Sequence, residues 1–153
     1  MKKIPVSGGK AHTLVDDSQY DFLMQWKWHQ DEAGYVRRHG PGNHTLRMAR
    51  VIMNAEKGQY VDHINHDILD NRRCNLRVCS SLESTSYRRK SLKTGSPYKG
   101  VTWDSKSRAW RTRIGHKYRS INLGLFRDPK LAAMRYNYAC IILHGDFASL
   151  NIL

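Results

Sequence analysis

An aspartate and a histidine stand side by side at Asp62 and His63 in the run VDHINHDILDNRRCNL (61–76), and Asn75 follows twelve residues after the histidine. Those residue types suit hydrolysis of a phosphodiester. Such a reaction needs a water deprotonated near neutral pH, and histidine is the side chain best tuned to take that proton. It also needs a hard cation to steady the developing charge and the leaving oxygen, and carboxylate or amide oxygens bind such cations. Neighbouring side chains on an extended strand point to opposite faces, so Asp62 and His63 can serve cation and water separately. Asn75 returns across a strand-loop-strand hairpin, where its amide can hold the imidazole or the loop backbone in register. The bland alternative for the same run is a polar hairpin whose Asp and Asn satisfy turn backbone.

The elements around this loop follow from local pattern. A short strand leads into it, a second strand covers 76–79, and a helix runs from about 81 to 89, with Ser80 or Ser81 as its cap and Glu83 at its positive end. Upstream, 10–15 reads as a strand and Ser18 as the cap of a short helix through Gln25. The runs 26–29 and 35–39 read as a hairpin, and GPGN at 40–43 as a turn. Residues 47–54 carry Met48, Val51 and Ile52 at helical spacing, with Ala55 next, and Trp26 and Trp28 complete a small core.

Downstream, 98–103, 110–114 and 119–126 are strand candidates. In the middle one Trp110, Thr112 and Ile114 share a face while Arg111 and Arg113 point the other way, a half-buried strand with a basic outer surface. In the third, Ile121 and Leu123 are expected inward and Tyr118, Ser120 and Asn122 outside, and Arg119 needs a bulge to join the outer face. Asp128 and Pro129 cap and start a helix through about Leu143, with Ala132, Tyr136, Ala139, Cys140 and Leu143 as its apolar stripe.

The chain has 153 residues, enough for one domain or two small ones, and its 40% hydrophobic and 25% charged content is globular. No apolar run approaches the ~18 residues of a membrane span. The N-terminus has two lysines without the apolar core of a signal peptide, so a cytoplasmic protein with no membrane partner is expected. Three cysteines, Cys74, Cys79 and Cys140, with no CxxC pair argue against a disulfide framework and against structural zinc. The net charge of +13 is uneven: residues 96–153 hold 10 basic groups against 3 acidic ones. Such an excess points to a polyanion partner, nucleic acid being the usual one. The basic, small-residue run RKSLKTGSP at 89–97 suits a linker.

VDHIN, then LDNRRCNLR, then SSLES at the start of a basic helix resemble the HNH (ββα-metal) nuclease motif, most closely the version in phage and intron-associated homing endonucleases. The resemblance covers roughly residues 45–90, in spacing as well as residue type. It implies that Asp62 binds the metal, that His63 is the general base and that Asn75 fixes the loop. Nine residues after Asn75, where that family usually places an asparagine or histidine to complete the metal site, stands Ser84. Ala49-Arg50 stands where the family often has a histidine before the arginine.

The C-terminal third shows a second likeness. YKGVTW (98–103), LGLF (123–126), LAAMRY (131–136) and HGDFASLN (144–151) resemble the plant ethylene-response-factor (APETALA-two) DNA-binding domain. That resemblance implies a three-stranded sheet laid in the DNA major groove and backed by one helix. By position, Lys99, Thr102, Arg108, Arg111, Arg113, Lys117 and Arg119 are the sheet residues expected to meet DNA. Arg72, Arg73, Arg77, Arg88, Arg89 and Lys90 are expected on phosphates near the cut.

Together these readings describe an α+β homing endonuclease that cuts or nicks double-stranded DNA with a divalent cation, Mg²⁺ or Mn²⁺, in a host bacterial cytoplasm if phage-encoded. Residues 1–60 form an accessory region, 61–90 the HNH core, 91–97 a linker and 98–153 the DNA-binding domain. The rival is a non-catalytic DNA-binding regulator derived from such a nuclease, favoured by Ser84.

Overall fold

Alternation begins in the first residues of the chain. On β1 (Lys2–Ser7) Ile4 and Val6 are buried while Lys3 and Pro5 face out, a strand that local reading had missed. It pairs antiparallel with β2 (His12–Val15) and parallel with β3 (Trp28–Gln30); β4 (Val36–His39) and β5 (Thr45–Arg47) extend the same sheet in the order β2-β1-β3-β4-β5. The structure, a computed structural model, describes residues 1–7, 11–87 and 96–153. It is of mixed α+β class and divides into two compact units, Met1–Ser81 and Leu82–Leu153.

Within the first unit, α1 (Asp17–Leu23) starts one turn position earlier than expected, with Asp16 rather than Ser18 at its N-cap. Asp16 has the extended backbone a cap requires, and its carbonyl accepts from the Gln19 amide at 3.0 Å, which leaves Ser18 inside the first turn. The helix α2 (Met48–Met53) ends at Asn54 in the left-handed region, a conformation asparagine tolerates. Leu23, Met48 and Ile52 from these helices meet Ile4, Val6, Val15, Trp28 and Val36 from the sheet in one core, and the Trp28 indole donates to the Leu23 carbonyl at 2.8 Å.

The antiparallel pair β6 (Tyr60–His63) and β7 (Leu76–Cys79) joins that core through Leu76. Its long polar loop is stitched to β2: the Leu14 amide donates to the Leu69 carbonyl at 2.8 Å, and the Asn71 amide to the Leu14 carbonyl at 2.9 Å. The first sixty residues therefore form one body with the hairpin.

In the second unit, which holds α3 (Ser81–Tyr87) apart from Ser81, the strands β8 (Val101–Asp104), β9 (Ala109–His116) and β10 (Arg119–Phe126) make an antiparallel sheet in the order β10-β9-β8. The expected end of the preceding helix and nearly all of the expected linker, at 88–95, lie outside the described residues. Asp128 caps α4 (Pro129–His144), its carboxylate accepting from the Lys130 amide at 2.8 Å. Ala132, Ala133, Tyr136, Ala139 and Cys140 bury the stripe of that helix, with Val101 and Ile114 of the sheet among the core residues. The β10 register shifts only between Asn122 and Gly124, beyond Arg119, so Arg119, the partner of His116, stays on the face of Ile121 and does not join the outer face. Ile121 is the register partner of buried Ile114, as expected inward, yet is 37% exposed, while Leu123 at the shift is partly buried. Among the described residues no helix is long and apolar enough to cross a membrane, and all three cysteines are free thiols.

Gly100 shows how tightly helix and sheet meet. Its φ is +74°, and a Cβ built there would fall in the Tyr136 ring and against the Arg113 carbonyl. Gly100→Ala therefore combines backbone strain with overpacking and is expected to lower stability by about 2–4 kcal/mol. Chemical denaturation checks this; a loss within a few tenths of a kcal/mol would contradict the packing.

Candidate functional site

Period-two alternation on β6 separates its two polar side chains. Asp62 lies cross-strand from Arg77, whose guanidinium Nη2 donates to Asp62 Oδ2 at 3.0 Å in a half-buried ion pair. His63 turns the other way and is only 4% exposed. It lines a cleft of about 530 Å³ with Tyr35, Asn71 and several basic residues, the Tyr35 ring centroid lying 6.3 Å from the imidazole.

His63 Nε2 lies 3.3 Å from Asn71 Oδ1, inside the fold. The Asn71 amide nitrogen faces the Thr13 hydroxyl at 2.8 Å and the Ile68 carbonyl at 3.4 Å. The Thr13 hydroxyl in turn donates to the Leu69 carbonyl at 2.7 Å. A carbonyl can only accept, so hydrogens run one way along this chain, from imidazole to amide to hydroxyl to carbonyl. The proton of neutral His63 therefore sits on Nε2, and Nδ1 is left as the basic nitrogen. Burial pushes the imidazole below its ordinary value, outweighing the Asn71 contact and the nearby carboxylates of Asp62, Asp67 and Asp70.

Asn75 holds the loop rather than the ring. Its Oδ1 accepts from the Asn65 amide at 2.9 Å, its Nδ2 donates to the Asp70 carbonyl at 2.8 Å, and its own carbonyl accepts from the Ile64 amide at 2.8 Å. Asp70 is buried beside it, and the Arg72 guanidinium bonding both its oxygens, at 2.7 and 2.6 Å, holds its carboxyl below the usual range. Asn71 and Thr13 carry roles that the sequence did not signal. An asparagine in a polar loop looks like any turn residue, and its threonine partner lies 58 positions away.

Several basic residues expected on DNA have partners within the protein. Arg77 is on Asp62, Arg72 is on Asp70, and Arg73 Nη1 donates to the Ile52 carbonyl at 3.1 Å. In the second unit, Arg111 pairs with Asp104, and the Lys99 ammonium donates to the Ser86 carbonyl at 2.7 Å, where burial lowers its pKa. Thr102 and Arg113 are exposed, on β8 and β9, and Arg119 is exposed at the start of β10; Arg108 and Lys117 occupy left-handed turn positions with φ of 48° and 46°. Ser84 lies on α3, in the second unit. Arg88, Arg89 and Lys90 lie outside the described residues.

The donor set bears on a metal as follows. Among the described residues no three His, Cys, Asp or Glu side chains cluster as a cage; Asp62 is the carboxylate adjacent to His63 on β6. Mg²⁺ is commonly held by one or two carboxylates with waters and substrate phosphates, so one carboxylate fits that mode and not a zinc or calcium cage.

In sequence the chain is similar to a protein of Acanthamoeba polyphaga mimivirus described as an uncharacterized HNH endonuclease. The two are 26% identical over 152 residues, which span 94% of this chain and 76% of the relative. That likeness supports the HNH nuclease family. No family model and no solved structure matches the chain.

The hydrogen-bond direction and the depressed imidazole give a paired prediction. Because His63 is held neutral, it contributes stability above pH 6.5 that is lost as pH falls through its lower folded value. Asn71→Asp places a carboxylate against Nε2 and should move the His63 titration, followed by NMR, upward from the wild-type midpoint. A wild-type midpoint at or above 6.5 would sink the argument.

Proposed function

We propose that the chain is a metal-dependent HNH endonuclease of the homing type, which binds double-stranded DNA and hydrolyses its phosphodiester bonds by nick or double-strand cut. The observation that carries this reading is the His63 imidazole, buried, neutral and tautomerically committed by Asn71. In that state Nδ1 is able to take a proton from an attacking water, whose oxygen bonds to phosphorus as the bridging oxygen leaves. Asn75 acts as a positioning residue, because its three bonds fix the loop backbone between His63 and Leu76.

Asp62 is the residue assigned to hold Mg²⁺ or Mn²⁺, and by the sequence resemblance Ser84 takes the position of the residue that completes the metal site in that family. A bound cation there would neutralise charge on the phosphate and its leaving oxygen. The Arg77 guanidinium orients the Asp62 carboxylate. On this reading β6 and β7 are the two strands of the ββα-metal fold. The second unit is the ethylene-response-factor-like DNA reader, with Thr102 and Arg113 on the sheet face away from α4, supported by Arg108, Arg111 and Lys117, and with Arg119 exposed at the start of β10.

A second reading, a DNA-binding regulator without catalysis, is favoured by one observation: the single acidic donor is already neutralised by Arg77. Supercoiled-plasmid relaxation with Mg²⁺ or Mn²⁺, beside a chelator control, separates the two. His63→Ala is expected to lower nicking at least ~100-fold, the usual worth of a positioned base, while duplex affinity persists. Asp62→Ala should abolish nicking together with its metal requirement. Ser84→Asn, which restores a longer amide, should lower the Mg²⁺ concentration needed. If the wild type binds duplex DNA but never nicks it with any cation, the regulator reading stands instead.

A further inference from the structure

The cleft beside His63 carries more positive charge than the fold accounts for. Arg37 on β4 and Arg47 on β5 are register partners, so two like charges face one another across adjacent antiparallel strands. Direct cross-strand partners bring Cβ atoms to about 4.5–5.5 Å, where like charges oppose pairing. Both arginines line the cleft, together with Lys57 and His63. Among the described residues the Arg37 Nε is a buried donor with no hydrogen-bond partner, a state that costs free energy unless something accepts from it.

The neighbours do not remove this charge. Asp31 is the acid of the cleft, and its carboxylate stands 3.7 Å from Arg47, a loose pair. Arg47 also stacks over the Tyr35 ring at 4.3 Å, which fixes the direction of its guanidinium. Arg50, the third arginine of the lining, is consumed structurally: it bonds the carbonyls of Gln59, Ala55 and Glu56. Those bonds shape the turn that presents Lys57 to the cleft. Convergent guanidinium groups with planar donors match a phosphate better than a point charge does. A space of about 530 Å³ holds a nucleotide-sized group.

We propose that Arg37, Arg47 and Lys57 form a phosphate-binding subsite that grips the DNA backbone one or more phosphates from the one that meets His63. The first sixty residues, on this inference, hold the substrate strand directly instead of only supporting the hairpin. The proposal rests on the nuclease reading for the identity of the strand, while the subsite itself needs only a phosphodiester.

The test uses the full chain and labelled duplex DNA in chelator, so that binding is read without cleavage. Arg37→Gln and Arg47→Gln should each weaken binding and reduce the slope of log K against log salt by about 0.9, the signature of one lost phosphate contact. Lys3→Gln, a charge lost from an exposed position on β1, is the matched control and should leave the slope as it is. Folded variants with the wild-type slope would overturn the subsite. Should either variant fail to fold, inorganic phosphate added to wild-type protein decides: shifted Arg37 and Arg47 Nε resonances uphold it, and unshifted ones overturn it. Loss of slope in a chain that never nicks DNA upholds the subsite and removes the nuclease reading. Nicking by a wild type whose variants bind and nick equally well does the reverse.

Discussion

One buried chain of hydrogen bonds ties the fold to its candidate chemistry: His63 to Asn71, Asn71 to Thr13, Thr13 to the Leu69 carbonyl. Every polar group in it is out of water, so each must keep its partner or lose about 1–3 kcal/mol of desolvation. That requirement places β2 against the loop and the loop against β6. It also dictates which nitrogen of the imidazole stays basic. The sheet formed by the first residues of the chain is thus part of the mechanism that sets a proton's position thirty or more residues downstream. Because the chain is satisfied at every member, the low dielectric around it strengthens the bonds and makes the loop rigid. On the proposed reading a rigid loop is what the general base would need, since a displaced imidazole loses contact with the water it would deprotonate.

Charge is distributed in two distinct ways. Some arginines complete local carboxylates: Arg72 on Asp70 and Arg77 on Asp62 are ordered ion pairs in partly buried positions. Removing one partner there would strand the other, so these pairs specify geometry more than they add stability. Other basic groups stand against their own kind, as Arg37 and Arg47 do. The net charge of +13 therefore does not spread evenly as a solubility device. Its largest share, 10 basic against 3 acidic groups, lies in residues 96–153, while the Arg37–Arg47 pair is a local repulsion that the fold of the first unit leaves in place.

What was legible in the sequence is what depends on near neighbours. The opposite orientation of Asp62 and His63, the strand at Leu76–Cys79 and the apolar stripe of α4 all follow from spacing within a few residues. The N-terminal strand was not, because Pro5 and the flanking lysines obscure two buried positions at Ile4 and Val6. The register shift at Asn122–Gly124 was not legible either, because a bulge has no clear local signature. The roles of Asn71 and of the Arg37–Arg47 pair were hidden for a stronger reason. They arise only when β2 meets the loop and β4 meets β5, contacts that loop closure makes unpredictable from composition.

Asp62 shows how these contacts bear on function. A carboxylate opposite an arginine on a two-stranded ladder is held by geometry on both sides, by its own strand and by its partner's. The guanidinium occupies an oxygen that a divalent cation would use, and so orients the ligand while competing for it. On the proposed reading, a divalent cation joining Asp62 to a DNA phosphate would displace the arginine from that carboxylate and leave Arg77 to meet the phosphate. The substrate would then supply the negative charge that a single carboxylate lacks, which is how one acidic ligand would serve such a site.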